Sequence, residues 1–170
     1  MREIEVKILE IDAPKIERKL LKLGAEKTFS GKIEATLLDH PELKLRENDK
    51  VLRVRTVGDK VELCFKGKKE GKQFKIREEI EVETSDVFDT LQILKSLGFV
   101  ATFTNKKERV SYKLGNAKIE FDTIEGIPTF LEIEGVTEYD VTECVEKLGY
   151  SMNDTTTISA NELMERYNNG

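Results

Sequence analysis

The chain has 170 residues and a formal net charge of -5; 38% of its residues are hydrophobic and 36% are charged. This length fits one domain with a core of its own. An acidic chain lacks the surplus of positive charge on which non-specific nucleic-acid binding depends, so we expect no nucleic-acid partner.

The cysteine count and the termini indicate the class of protein. Cys64, Cys144 and the single His40 are too few for the usual four-ligand zinc site, so we expect two small buried or half-buried thiols in a reducing compartment. No apolar run is long enough to span a bilayer, and the charged start from Arg2 is not typical of a signal peptide. We therefore expect a cytoplasmic protein with no membrane partner.

The first half of the chain predicts a strand, a helix and then several strands. Strand alternation covers 2–10, and Asp12 followed by Pro14 is typical of a helix start. The amphipathic helix ends at Gly24. Further strands are predicted over 26–33, 34–38, 50–57, 61–66 and 73–83, with a Gly-Asp hairpin turn between the third and the fourth and a basic loop before the last.

The second half predicts a similar mixture of strands and helices. A helix begins at a cap formed by Thr84 or Ser85 and ends at Gly98. Strands follow over 99–114, 117–124 and 129–135, and helices over 139–148 and 159–167. Because no change in composition marks a linker, we expect a single domain over residues 1–170.

Charged and apolar residues alternate on most of these strands. Glu3, Glu5 and Lys7 share one strand face, and Ile4 and Val6 share the other. Further charged faces carry Arg53 and Arg55, Glu62 and Lys66, Lys75 to Glu81, Lys118 to Asp122, and Glu132 and Glu134. One interpretation is an antiparallel sheet with a solvated face whose charges pair across strands.

A second interpretation is a site for metal and phosphate. Like charges cluster within strands, as in Glu-x-Glu at 3 and 5 and Arg-x-Arg at 53 and 55, and neighbouring like charges need a counter-charge. Mg²⁺ or Mn²⁺ suits the carboxylates, and phosphate suits the arginines and lysines. The chain has no Walker loop and no GxGxxG fingerprint, and one histidine in a turn disfavours a Ser-His-Asp triad.

An ordered set of motifs extends through the chain: Glu3-x-Glu5-x-Lys7, Leu-Arg-x-Arg at 52–55, Lys66, Arg-x-Glu-x-Glu at 77–81, Lys-x-Arg at 107–109, Asp122, and Glu-Gly-Ile-Pro-x-Phe-Leu-Glu-Ile-Glu at 125–134. The set resembles the CYTH superfamily, the triphosphate tunnel metalloenzymes, over nearly the whole chain. The resemblance implies an α+β fold: a closed eight-stranded antiparallel β tunnel with a charged lumen and helices packed outside.

The resemblance also implies a role for each motif residue. The expected ligands of Mg²⁺ or Mn²⁺ are Glu3, Glu5, Glu79, Glu81, Asp122, Glu132 and Glu134. The expected triphosphate clamp is Lys7, Arg53, Arg55, Lys66, Arg77, Lys107 and Arg109. Among these, the expected catalytic residues are Glu5, Lys7, Arg53 and Lys66.

Three functions are compatible with the resemblance. The compact length and the 125–134 motif look most like the class IV adenylyl cyclases, which convert ATP to cyclic AMP and pyrophosphate. A hydrolase of inorganic, thiamine or nucleoside triphosphate is the second alternative. A non-catalytic triphosphate-binding module is the third, although it would not need the carboxylates. Many members have an Asp and an aromatic pair before Leu-Arg-x-Arg, and the stretch 34–39 here lacks the aromatic pair, which leaves the substrate open. A homodimer is among the alternatives for assembly.

Overall fold

The structure, a computed structural model, describes residues 2–168. Its eight strands are β1 (Arg2–Ile8), β2 (Glu26–Asp39), β3 (Val51–Val57), β4 (Lys60–Lys66), β5 (Lys75–Thr84), β6 (Val100–Leu114), β7 (Ala117–Ile124) and β8 (Ile127–Gly135). Its helices are α1 (Ala13–Lys22), α2 (Lys44–Glu47), α3 (Val87–Ser96), α4 (Glu138–Lys147) and α5 (Ala160–Asn168), with a 3-10 turn over Met152–Asp154.

The strands form a closed antiparallel barrel in the order β1-β5-β4-β3-β2-β6-β7-β8, with the helices outside. This confirms the predicted fold. Among the residues that the structure describes, no helix is long and apolar enough to cross a membrane.

Three details of the predicted elements were wrong. The two strands predicted over 26–33 and 34–38 form one strand, because the register with β3 continues from Ile33 to Glu34 without a break. The cap of α3 is Asp86, whose carboxylate accepts a hydrogen bond from the backbone N–H of Asp89 at 2.8 Å. The short helix α2 was not predicted, since four residues are too few to produce a periodic apolar pattern.

The chain divides into two compact units. Unit I comprises residues 31–69 and 77–107 together with Arg2, and unit II comprises residues 3–30, 70–76 and 108–168. In unit II, Val6 and Ile8 of β1 lie in one buried cluster with Leu20 of α1 and Val145 of α4. Because side chains alternate along a strand, the charged side chains of β1 occupy the face away from these helices, which is the inner face of a closed barrel.

Unit I follows the same plan. Leu52 and Val54 of β3 are buried with Leu94 of α3, so Arg53 and Arg55 lie on the opposite face of the strand. In both units the helices therefore cover the apolar faces of the strands and leave the charged faces to the inside.

The end of β8 contacts the start of α4 through a glycine. A Cβ atom at Gly135 would lie 2.8 Å from Cγ2 of Val141 and 3.1 Å from the carbonyl oxygen of Thr137, closer than packed atoms approach. We expect Gly135→Ala to lower the free energy of unfolding by about 1–3 kcal/mol, the usual cost of overpacking. Urea denaturation measures this. Gly67→Ala is the matched control, because its Cβ would meet nothing nearer than 3.5 Å, and equal losses in both variants would contradict the predicted clash.

Candidate functional site

The inner face of unit II contains a buried lysine between two glutamates. Lys7 Nζ lies 3.0 Å from Glu5 Oε1 and 3.0 Å from Glu132 Oε2. Lys75 Nζ donates to the same oxygen of Glu5, although sequence reasoning had not placed this lysine in the site. Burial opposes the charge of Lys7, but Glu132 and Glu5 outweigh it and raise the pKa of the ammonium group. Lys7 therefore stays protonated on the inner face.

The predicted metal ligands of unit II are partly brought together. Glu3, Glu5 and Glu132 each offer a carboxylate oxygen, and these oxygens lie within 4.8 Å of one another. Glu3 and Glu5 are 6% and 2% exposed, so a cation there would meet fixed carboxylates more than water. Three hard oxygen donors at this spacing fit Mg²⁺ or Mn²⁺, which prefer carboxylate and water ligands.

Arg109 and Asp122, predicted as a phosphate clamp and a metal ligand, bind each other. Arg109 Nε and Nη2 donate to the two oxygens of Asp122 at 2.6 Å each, and Arg109 Nη1 also pairs with Glu120. Asp122 is 0% exposed and Arg109 is 4% exposed. Burial opposes the charge of Arg109, but Glu120 and Asp122 outweigh it and raise the pKa of the guanidinium group. The pair organises the carboxylates around it, including Glu132, 3.7 Å from Arg109 Nη2.

Glu120 is a site residue that the motifs did not identify. It lies opposite Glu132 in the β7–β8 register, is 3% exposed, and accepts from Ser111 Oγ at 3.2 Å and from Lys118 Nζ at 2.8 Å. The sequence does show that Glu120 alternates with Asp122 along β7. It does not show that Glu120 lies across from Glu132, because that depends on how the two strands pair.

Glu134, a predicted metal ligand, lies beside Lys118 at 3.8 Å. Burial raises its pKa from 4.5 to about 7; Lys118 opposes this rise, and Glu3 and the neighbouring glutamates add to it. The folded protein therefore holds a proton on Glu134 in a pH range where the unfolded chain has released it.

This shift predicts a pH dependence of stability. As the pH rises from about 4.5 to about 7, ionisation of Glu134 in the unfolded chain lowers the free energy of unfolding of the metal-free protein, by at most about 1.4 kcal/mol per pH unit. Urea denaturation in EDTA across this range measures the slope. Glu134→Gln removes this component, so the variant should gain stability relative to wild type as the pH rises. Glu108→Gln, at an exposed position, is the control, and a slope unchanged in Glu134→Gln would contradict the assignment.

The inner face of unit I contains a network of arginines, lysines and glutamates. Arg55 Nε pairs with Glu62, and its Nη2 donates to Glu81 Oε2 at 3.2 Å. Lys66 Nζ lies 3.1 Å from Glu79 Oε2. Like charges that are neighbours along one strand are thus compensated by opposite charges from the next strand, as the solvated-sheet interpretation had required.

Arg53 differs from the other arginines of the site. Its Nε and Nη2 atoms are inaccessible to water and make no hydrogen bond within the described part of the chain. Its Nη2 lies 3.9 Å from Glu79 and 3.7 Å from Glu81, too far for hydrogen bonds. A buried guanidinium with unused donors is costly unless an anion completes it. Arg53 therefore has two donor atoms that the described residues leave unused, and an anion would reach them only after the neighbouring side chains move.

Arg77, predicted for the clamp, holds two connecting segments together. Its Nη1 donates to the carbonyl oxygens of Asp49, at 2.6 Å, and Gly67, and its Nη2 donates to Asp49 Oδ1 at 2.7 Å. Asp49 has a φ of 53° and also accepts from the backbone N–H of Lys69 at 2.8 Å. Arg77 is 6% exposed, and most of its donors serve these segments. Lys107, the remaining predicted clamp residue, lies half-buried on β6.

The position of Arg77 predicts a large stability effect. Arg77→Ala leaves the carbonyl oxygens of Asp49 and Gly67 without their donor, so we expect a loss of about 2–3 kcal/mol in the free energy of unfolding. Urea denaturation of the metal-free and phosphate-free protein measures it. Lys60→Ala removes only the exposed pair with Glu83 and should leave the transition midpoint unchanged. Matching midpoints for Arg77→Ala and wild type would contradict this role.

Comparisons with known proteins identify the family of the chain. The chain belongs to the CYTH domain family, whose sequence profile matches residues 1–160. A Methanocaldococcus jannaschii protein named as a candidate adenylate cyclase is 36% identical over 137 residues, which cover 79% of this chain and 77% of the relative.

Solved structures share the fold. A candidate adenylate cyclase from Vibrio parahaemolyticus has a TM-score of 0.85 at 18% identity, over 96% of this chain and 97% of that one. A Hippeastrum protein, described as a candidate adenylyl cyclase with a dominant triphosphatase activity, has a TM-score of 0.69 at 15% identity, over 96% and 95% of the two chains.

Proposed function

We propose that this chain is a divalent-metal-dependent enzyme that acts on a triphosphate. The observation that carries the proposal is Arg53, whose buried Nε and Nη2 atoms make no hydrogen bond to any residue that the structure describes. Phosphate oxygens match guanidinium donors in geometry and charge, and a triphosphate offers several of them. Lys66 and Arg55, which lie in the same unit as Arg53, would add positive charge.

The carboxylates of unit II would hold the metal. Glu3, Glu5 and Glu132 supply the clustered oxygens, with Glu134 next to them on β8. Mg²⁺ or Mn²⁺ bound there would stabilise negative charge that develops on the phosphate chain. A cation at Glu5 would weaken the pairs that this carboxylate makes with Lys7 and Lys75, which would release both ammonium groups toward phosphate oxygens.

The first candidate reaction is conversion of ATP to cyclic AMP and pyrophosphate. The Methanocaldococcus jannaschii relative, at 36% identity, is named as a candidate for this activity. In this reaction the ribose 3′-hydroxyl attacks the α-phosphate and pyrophosphate leaves. The arginines and lysines would bind the leaving pyrophosphate, whose charge increases as its bond to the α-phosphate breaks.

Hydrolysis of a triphosphate is the second candidate, and the neighbourhood of the arginines favours it. On β2, Leu37 and Ala35 lie opposite Arg53 and Arg55 in the register. Neither side chain can hydrogen-bond a nucleobase. A site that contacts only the phosphates would allow water to act as the nucleophile. The Hippeastrum protein of the same fold is described as having a dominant triphosphatase activity.

A substrate screen separates these functions. Purified protein is incubated with ATP, GTP, tripolyphosphate and thiamine triphosphate, each with Mg²⁺ and with Mn²⁺, and the products are resolved by chromatography. Cyclic AMP with pyrophosphate identifies the cyclase, and orthophosphate identifies the hydrolase. Tight binding without turnover identifies a binding module, and the absence of both binding and turnover rejects the proposal.

The metal assignment predicts the effect of one substitution. Glu5→Gln removes a carboxylate from the proposed metal group, so turnover should fall at least about 100-fold and the thermal stabilisation by Mn²⁺ should disappear. Turnover assays and thermal melts with and without Mn²⁺ measure both effects, and circular dichroism checks the fold. Glu34→Gln changes an exposed glutamate paired with Lys106 and serves as the control. Unchanged turnover and metal response in Glu5→Gln would remove Glu5 from the metal site.

A further inference from the structure

Cys64 is a thiol among the charges of unit I that none of the motifs includes. In the strand register it lies opposite Arg53 on β3 and opposite Glu81 on β5. It is 0% exposed.

The thiol is bound to one oxygen of Glu79. Cys64 Sγ donates to Glu79 Oε1 at 2.9 Å. An ordinary thiol is protonated at neutral pH, so the sulfur carries the proton that the hydrogen bond needs. The other oxygen of Glu79 is engaged by Lys66 at 3.1 Å. Both oxygens of this carboxylate are therefore held.

The oxygen that the thiol holds is also the one that faces Arg53. Glu79 Oε1 lies 3.9 Å from Arg53 Nη2, about 1 Å beyond hydrogen-bond distance. Without the thiol, a small rotation of the carboxylate would bring this oxygen onto the unused donors of Arg53. A charge-assisted hydrogen bond of that kind is strong, and it would compete directly with phosphate.

A metal site at the same place does not match the thiol. Cys64, Glu79 and Glu81 offer ligand atoms within 4.8 Å of one another. A thiol must lose its proton to bind a metal, and Mg²⁺ and Mn²⁺ prefer oxygen ligands to sulfur. Cys64 Sγ instead donates its hydrogen to Glu79.

We propose that Cys64 is a positioning residue: its S–H group holds Glu79 away from Arg53, so that the guanidinium of Arg53 stays available to a phosphate oxygen of the substrate. The inference rests on the proposed function, because it assigns Arg53 to a triphosphate.

The test measures binding of tripolyphosphate by isothermal titration calorimetry in EDTA, where only the cationic groups of the protein act. We expect Cys64→Ala to raise the dissociation constant about tenfold, equivalent to about 1.4 kcal/mol. Cys64→Ser keeps a donor and should bind within about twofold of wild type. Cys144→Ala, which removes the other buried thiol from the apolar cluster of unit II, should leave binding unchanged.

A double-mutant cycle separates positioning from a general packing defect. In a Glu79→Gln background position 79 has no carboxylate for the thiol to hold away from Arg53, and Glu81 stays as it is in wild type, so adding Cys64→Ala should change the dissociation constant by less than about twofold. A packing defect would weaken binding equally in both backgrounds. If Cys64→Ala does not fold, Cys64→Val keeps the bulk, removes the donor and is carried through the same cycle.

The outcomes for the two proposals are distinct. Tight binding by wild type together with equal binding by Cys64→Ala, or a loss of equal size in both backgrounds, overturns the role of Cys64 and leaves the proposed function standing. Failure of wild type to bind tripolyphosphate both in EDTA and with Mn²⁺ overturns both proposals. If wild type binds only with Mn²⁺, the same variants are compared with Mn²⁺ present and the same outcomes apply. A loss confined to the background with Glu79 intact, reversed by Cys64→Ser, supports the positioning role.

Discussion

Compensation of charge on the inner face is the constraint on which the rest of the structure depends. An ionised side chain removed from water costs several kcal/mol unless an opposite charge and hydrogen bonds replace the solvent. Lys7, 2% exposed, lies between Glu5 and Glu132, and Arg109 lies among Asp122 and Glu120. Strands whose charged side chains share one face can form a barrel with that face inside, because neighbouring strands place residues of opposite charge at the same level of the barrel.

This pairing of charges also distinguishes three arginines that the sequence motifs assign to one predicted clamp. Arg77 binds two connecting segments, Arg109 binds carboxylates, and Arg53 makes no hydrogen bond through Nε or Nη2 to residues 2–168. An anion gains little from a guanidinium whose donors are already used, because each new contact replaces an existing one. The three arginines of one predicted clamp thus differ in their surroundings, and Arg53 is the one that we propose for ligand binding.

Much of the fold could be predicted from the sequence because its signals are local. Alternation over Glu3 to Lys7 predicted a strand with one charged face, and the Gly-Asp pair predicted the turn between β3 and β4. The partners across strands could not be predicted, since Lys75 reaches Glu5 from 70 positions away. Asp49 lies in a left-handed turn outside every motif.

Like charges that cluster along one strand do not all need an external counter-ion. Opposite charges lie one strand away in the structure, such as Glu62 beside Arg55. A ligand must neutralise only the charge that remains after this pairing between strands. That remainder depends on register, which the order of residues along one strand does not reveal.

The pairing of β1 with β8 has a consequence for how this chain can vary. The two strands match residue for residue, from Ile4 opposite Gly135 to Ile8 opposite Leu131. A shift of β1 by one residue against β8 would exchange its two faces, turning Val6 toward the inside and its charged neighbours toward the helices. Substitutions among Ile, Val and Leu are mild by comparison. The register of this strand, more than the identity of its apolar residues, limits the sequences that can occupy it.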